Sequence, residues 1–99
     1  MTLKEIVSNI ETQNEEAMIF AKKVDGKFLP SSEAVLLDLP EEEKDLLTHE
    51  IAWRHCPGFE YFMEVFLVKD MFEEFRHTVG YKSLDQQIDR IIHYAEFDG

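Results

Sequence analysis

The sequence lacks the features that several common classes of function require. Its single cysteine, Cys56, excludes an internal disulfide. The four glycines stand apart at positions 26, 58, 80 and 99, so the chain has no glycine-rich loop to bind phosphate. Its apolar runs end after five residues or fewer, whereas a helix that crosses a bilayer needs about 20. The chain also opens without a charged and then apolar leader, and we therefore expect a soluble, cytoplasmic protein.

Basic residues are scarce as well. The 99 residues hold 10 Lys and Arg against 21 Asp and Glu, which gives a formal net charge of −11. A field of this sign repels nucleic acid and anionic membranes, and it attracts basic proteins. The acids are densest at Glu41, Glu42, Glu43 and Asp45. A purely solubilising role for this charge is the simpler alternative.

The first part of the chain has the pattern of a helix followed by a long hairpin. Thr2 and Glu5 have the spacing of a capping box, which predicts a helix start. Residues 17–21 are short and apolar enough for a buried strand. The dipeptide at 25–26 favours a tight turn, and a loose return leads to a second strand over 33–37.

The second part predicts one more strand and three more helices. Prolines on both sides bound a helix over 41–55. Residues 59–75 would be apolar on nearly every side as one helix, so we predict a strand over 60–68 followed by a helix, with a single helix as the alternative. Helices follow from Asp70 to Gly80 and from Ser83 onward, because both starts have capping-box spacing.

These elements predict a single α+β domain over residues 1–99, in the order α-β-β-α-β-α-α. Its core is an antiparallel three-stranded sheet with helices packed on it. Apolar residues make up 44% of the chain, an ordinary share for a globular protein. The third strand has two apolar faces, and its second face needs a cover. Either the helix over 41–55 or a second copy of the chain could supply it.

The histidines and the cysteine do not have the spacing of a metal site. His49 and His55 lie six residues apart, about 240° around a helix, so they cannot share a metal ion. Cys56 precedes a Pro-Gly break, with no helix N-terminus to activate its thiol. His77 and His93 stand alone on separate predicted helices. We therefore expect no metal, no cofactor and no catalytic cysteine.

Acidic residues are plentiful, but few have the surroundings of a catalytic acid. Such a group needs an apolar pocket that raises its pKa, and only Glu64 and Glu96 have apolar neighbours. Both are expected to be structural carboxylates paired with one of four cations: Arg54, Lys69, Arg76 or Arg90. We predict that the chain is not an enzyme, and a small enzyme using Glu64 or His93 is the weaker alternative.

Three blocks of the sequence resemble those of a known family. They are 32–35 (SEAV), 58–69 (GFEYFMEVFLVK) and 93–96 (HYAE). Together they resemble a family of small acidic bacterial proteins whose domain has no assigned function. The chain departs from the family pattern over 38–57, where it is longer. Because the family has no established activity, the resemblance implies the limits of the domain and assigns no functional residue.

The leading functional hypothesis is an acidic protein-binding module, in its most concrete form an immunity-type inhibitor of a basic toxin or nuclease. Acidic charge would steer the domain to such a partner, and aromatic anchors would hold it there. The expected contact residues are Glu41, Glu42, Glu43, Asp45 and Trp53. The alternative is a structural or regulatory homodimer that uses the apolar third strand.

Overall fold

A three-stranded antiparallel sheet in the order β2-β1-β3 lies between two layers of helices in the computed structural model, which describes residues 1–78, 80 and 82–98. The order of elements confirms the predicted α+β fold. Among the described residues, every helix is too short or too polar to cross a membrane. The strands are β1 (Met18–Ala21), β2 (Ala34–Leu37) and β3 (Glu60–Glu64), and the helices are α1 (Leu3–Ser8), α2 (Glu41–Lys44), α3 (Thr48–His55), α4 (Val65–Phe75) and α5 (Leu84–His93).

The central strand β1 pairs with both neighbours, and the β1–β2 connection is the long, loose hairpin that the sequence predicts. Its tip turns at Asp25 and Gly26, whose φ angles of 52° and 79° suit a tight turn between Val24 and Lys27. On the other side, Ile19 pairs with Met63 but Phe20 pairs with Tyr61. The extra β3 residue between them makes a bulge in this edge strand.

The outer edge of β2 is partly covered by the start of the chain. Ala34 donates its N–H to the carbonyl of Met1 over 2.8 Å, and Leu3 donates to Ser32 over 2.8 Å. The capping box at Thr2 and Glu5 then begins α1 as predicted. The N-terminal segment is therefore hydrogen-bonded to the edge of the sheet.

Successive residues of β1 point into two separate cores, one on each face of the sheet. Ile19 and Ala21 face the larger core, which α1, α4 and α5 cover. Met18 and Phe20 face a smaller core. That core is closed by Leu39 and by three residues of α3 and its C-terminal end: Ile51, Ala52 and Cys56. The fold thus has three layers, and the chain itself covers the second face of the sheet.

The predicted helix over 41–55 is wrong in one respect, because the structure breaks it into α2 and α3. Leu47 has an extended backbone (φ −64°, ψ 146°), and α3 starts after it. Leu46 packs against the smaller core, whereas Leu47 is 59% exposed. Pro40 caps α2 with extended backbone and lies just outside its first turn.

The predicted boundary between the third strand and the following helix is also wrong. β3 stops at Glu64 and α4 begins at Val65, so the strand does not reach residue 68. The N–H of Val65 donates to the carbonyl of Ala17 over 3.0 Å and that of Phe66 to the carbonyl of Glu15 over 3.2 Å, so the first turn of the helix is bound to the segment just before β1.

The capping spacing that begins at Asp70 lies in the middle of α4, and this helix ends at Phe75 before the predicted stop at Gly80. The last helix does start at its predicted capping box, where Gln86 donates its N–H to Ser83 Oγ over 3.1 Å. A π-helical turn at Tyr94–Asp98 follows α5.

Candidate functional site

The five residues predicted to contact a partner lie on α2, α3 and their connection. Glu41, Glu42 and Asp45 are exposed to solvent. Glu43 is half-buried, with Oε1 at 3.4 Å from Nε2 of His55. Trp53 is 79% exposed, an unusual position for the only tryptophan of a chain.

The structure does not bring Glu43 and Trp53 together. Glu43 contacts His55, which follows Trp53 by two residues on α3. Residues two positions apart in a helix are separated by about 200° around its axis, so the side chains of Trp53 and His55 point to nearly opposite sides of α3. The acidic segment and the tryptophan therefore form two parts of the surface and not one patch.

Trp53 forms one wall of a groove of about 440 Å³, here called the Trp53 groove. His49 precedes it by one helical turn on the same wall. The segment after α3 also lines the groove, and its Gly58 has a φ of 90° that lets the chain reverse direction. The same segment contributes Phe59 and Tyr61 to the lining.

The charges around the Trp53 groove are largely balanced. Lys23 Nζ lies 3.8 Å from Glu60 Oε1, and both residues line the groove. Lys22 Nζ is 5.0 Å above the Phe59 ring and 2.9 Å from Glu33 Oε2. The groove therefore offers aromatic surface with little net charge.

A second groove, here called the Glu64 groove, has a volume of about 590 Å³ and lies where β1 begins and β3 ends. Lys44 of α2 lines it and makes ion pairs with Glu16 at 3.3 Å and Glu41 at 3.7 Å. Partial burial lowers the pKa of Lys44, but nearby carboxylates outweigh that effect and raise it overall. The groove is lined by Glu15, Glu16, Met18, Lys44, Glu64, Phe66, Lys69 and Asp70.

Tyr61 connects the two grooves. Its ring lines the Trp53 groove, and its hydroxyl donates to Oε2 of Glu64 in the other. The predicted cation partner of Glu64 is therefore wrong, since Lys69 donates instead to the carbonyl of Gln13 over 2.9 Å. Sequence reasoning missed Tyr61, although the three-residue spacing to Glu64 was visible.

The predicted cation partner of Glu96 is wrong in the same way. Its carboxylate accepts the backbone N–H of Phe28 over 2.7 Å and holds the π-helical turn against the β1–β2 hairpin. His93, the other residue of the enzyme alternative, lies with its ring centroid 4.7 Å from that of Phe97. Glu64 and His93 thus have separate local partners.

Stability should fall as the pH rises above about 10, because Tyr61 is neutral in the folded protein. Burial, followed by the hydrogen bond to Glu64 and the charge of that carboxylate, raises the pKa of Tyr61 above its ordinary value of 10.0. The unfolded chain ionises first, so the stabilisation is complete below pH 10 and is lost as the pH approaches the folded pKa. Urea unfolding from pH 7 to pH 11 measures this loss.

Tyr61→Phe is the matched variant for that measurement. At pH 7 it should cost about 1.5–3 kcal/mol, the range for a hydrogen bond to a charged group. The difference in the free energy of unfolding between wild type and variant should decrease above pH 10, because the variant has no hydroxyl to ionise. A constant difference up to pH 11 would contradict the raised pKa.

The remaining candidates for reactivity are the thiol of Cys56 and the side chains that could bind a metal ion. Burial raises the pKa of the Cys56 thiol, which disfavours the thiolate. Among the residues that the structure describes, no three His, Cys, Asp or Glu side chains converge in a way that could hold a metal ion.

Comparison with known proteins finds no matching family model, no matching curated protein and no matching solved structure. The resemblance to a family of small acidic bacterial proteins accordingly depends on the residues of the three blocks alone.

Proposed function

We propose that this chain is a non-catalytic protein-binding module whose partner is a basic protein. The observation that carries the proposal is Trp53, which is 79% exposed beside a groove with aromatic walls. Tryptophan is enriched among the residues that dominate binding energy, because it buries a large ring and can donate a hydrogen bond. A partner side chain inserted between Trp53 and Tyr61 would remove this exposed surface from water.

The charge distribution supports a basic partner. Glu41, Glu42 and Asp45 are exposed on and beside α2, and the chain as a whole carries −11. Such a field accelerates encounter with a basic surface and contributes mainly to the association rate. An immunity-type inhibitor that covers the active site of a basic toxin or nuclease is the most concrete form of this proposal.

The homodimer alternative was based on an apolar face of the third strand that needed a cover. That argument required an uncovered apolar face on the third strand, whereas Ile51 and Ala52 of α3 cover this side of the sheet. The apolar strand is accounted for within one chain.

The test uses proteins captured from an extract of the source cells by the immobilised chain, each then purified for surface plasmon resonance. For a true partner, Trp53→Ala should weaken the affinity about 30-fold, as expected for a residue worth about 2 kcal/mol. The triple variant Glu41→Lys, Glu42→Lys and Asp45→Lys should lower the association rate and its salt dependence.

Leu84→Ala is the matched control, since Leu84 is an apolar residue, 40% exposed, on α5. It should leave the affinity unchanged. The proposal would be refuted if the binding of the captured partner were unchanged by Trp53→Ala, by the triple charge reversal and by the salt concentration.

A further inference from the structure

Three carboxylates that line the Glu64 groove have no ion-pair partner among the described residues. In the described part of the chain, no Lys, Arg or His lies within ion-pairing distance of Glu15, Glu64 or Asp70. The two lysines of the groove are already engaged. Lys44 pairs with Glu16, and Lys69 donates to a backbone carbonyl.

The same groove has an apolar surface that is open to solvent. Phe66 is 45% exposed on the first turn of α4, although its neighbours Val65 and Val68 are fully buried. Its N–H donates to the carbonyl of Glu15, which fixes the aromatic residue beside one of the acids. Met18 lines the groove as well. An occupant must therefore combine an apolar stem with a positive end.

We propose that the Glu64 groove receives an arginine side chain of the basic partner, so this inference rests on the proposed function. A guanidinium group is planar and can stack on the ring of Phe66 while it donates hydrogen bonds to a carboxylate in the same plane. The hydroxyl of Tyr61 holds Glu64 through Oε2 and leaves Oε1 for the guanidinium. A lysine ammonium can touch a ring and a carboxylate as a point charge, but it has no plane to stack and no fork of parallel donors.

The position of the groove fits this role. Lys44 of α2 borders it through ion pairs with Glu16 and Glu41, so it adjoins the acidic segment proposed to steer the partner. Tyr61 links it to the Trp53 groove. One partner surface could thus place an aromatic or aliphatic side chain beside Trp53 and an arginine beside Glu64.

The test compares fluorescent hexa-arginine and hexa-lysine peptides by anisotropy at physiological salt. Wild type should bind hexa-arginine roughly fivefold more tightly than hexa-lysine, because only the guanidinium can stack on the ring and donate two parallel hydrogen bonds. Phe66→Ala and Glu64→Gln should each remove that preference and weaken hexa-arginine binding roughly fivefold or more. Thermal unfolding of both variants checks that they are folded.

Two matched controls separate a site from general charge. Asp89→Asn removes the same charge from exposed α5, and Phe97→Ala removes an exposed ring outside the groove. Both should leave the arginine preference intact. Equal losses of affinity in Glu64→Gln and Asp89→Asn, with no preference between the peptides, would overturn the proposal and indicate net charge alone.

The outcomes also distinguish this inference from the proposed function. If a captured partner depends on Trp53 but not on Phe66 or Glu64, the binding module stands and the arginine site is refuted. If the peptide preference depends on Phe66 and Glu64 while no captured protein depends on Trp53, the arginine site stands and the proposed function is refuted.

Discussion

Replacing Phe20 by alanine should lower the free energy of unfolding by about 3–5 kcal/mol, the range for truncating a buried phenylalanine. Phe20 is fully buried on the central strand, where its ring packs edge-on against Tyr61 with centroids 5.8 Å apart. The smaller core has few residues, so little of the resulting cavity can close. Urea unfolding monitored by circular dichroism measures the loss.

Phe97→Ala is the control for this substitution, because Phe97 is 70% exposed. Its effect should stay within about 0.5 kcal/mol. A cost below about 1 kcal/mol for Phe20→Ala would mean that the second face of the sheet is not a packed core.

The second large effect is expected at α3, where Ile51→Ala should cost about 2–5 kcal/mol. Ile51 is fully buried and is the main contact of this short helix with the sheet. An isolated helix of eight residues is unstable in water, so α3 depends on this contact. Chemical denaturation gives the change in stability.

Hydrogen exchange tests the same substitution locally. Amides of α3 should exchange faster in Ile51→Ala, while those of α5 should change only with global stability. Leu47→Ala is the control, since Leu47 precedes the helix and is 59% exposed. If exchange in α3 were unaffected, the helix would not depend on Ile51 for its position.

Local sequence signals were sufficient for the starts of the first and last helices. Thr2 with Glu5 and Ser83 with Gln86 form their capping boxes through hydrogen bonds between residues three apart. Such contacts depend on little else in the fold, so the sequence could predict them. The long hairpin was also predictable, because the dipeptide at 25–26 tolerates positive φ.

The start of α4 was not predictable from local spacing. Asp70 and Glu73 match a capping box, yet both lie inside the helix. What determines the start is a pair of hydrogen bonds from Val65 and Phe66 to carbonyls about 50 residues earlier in the chain. Contacts at that separation leave no signal in a short window of sequence.

The site was predictable in part. Sequence reasoning selected Trp53, and the structure places it on the surface. It could not show that the acids of α2 and this tryptophan lie on different sides of α3. It also could not place Tyr61 and Phe66 in the linings of the two grooves, because their positions depend on where β3 stops.

The hydrogen bonds between Met1–Leu3 and β2 have a consequence for self-association. Edge strands expose unpaired backbone groups that other chains can extend into aggregates. On β2, part of that edge is occupied by the N-terminal segment. On β3, the strand is five residues long and interrupted by a bulge beside Phe20. Both edges of the sheet are therefore poor templates for a strand of another molecule.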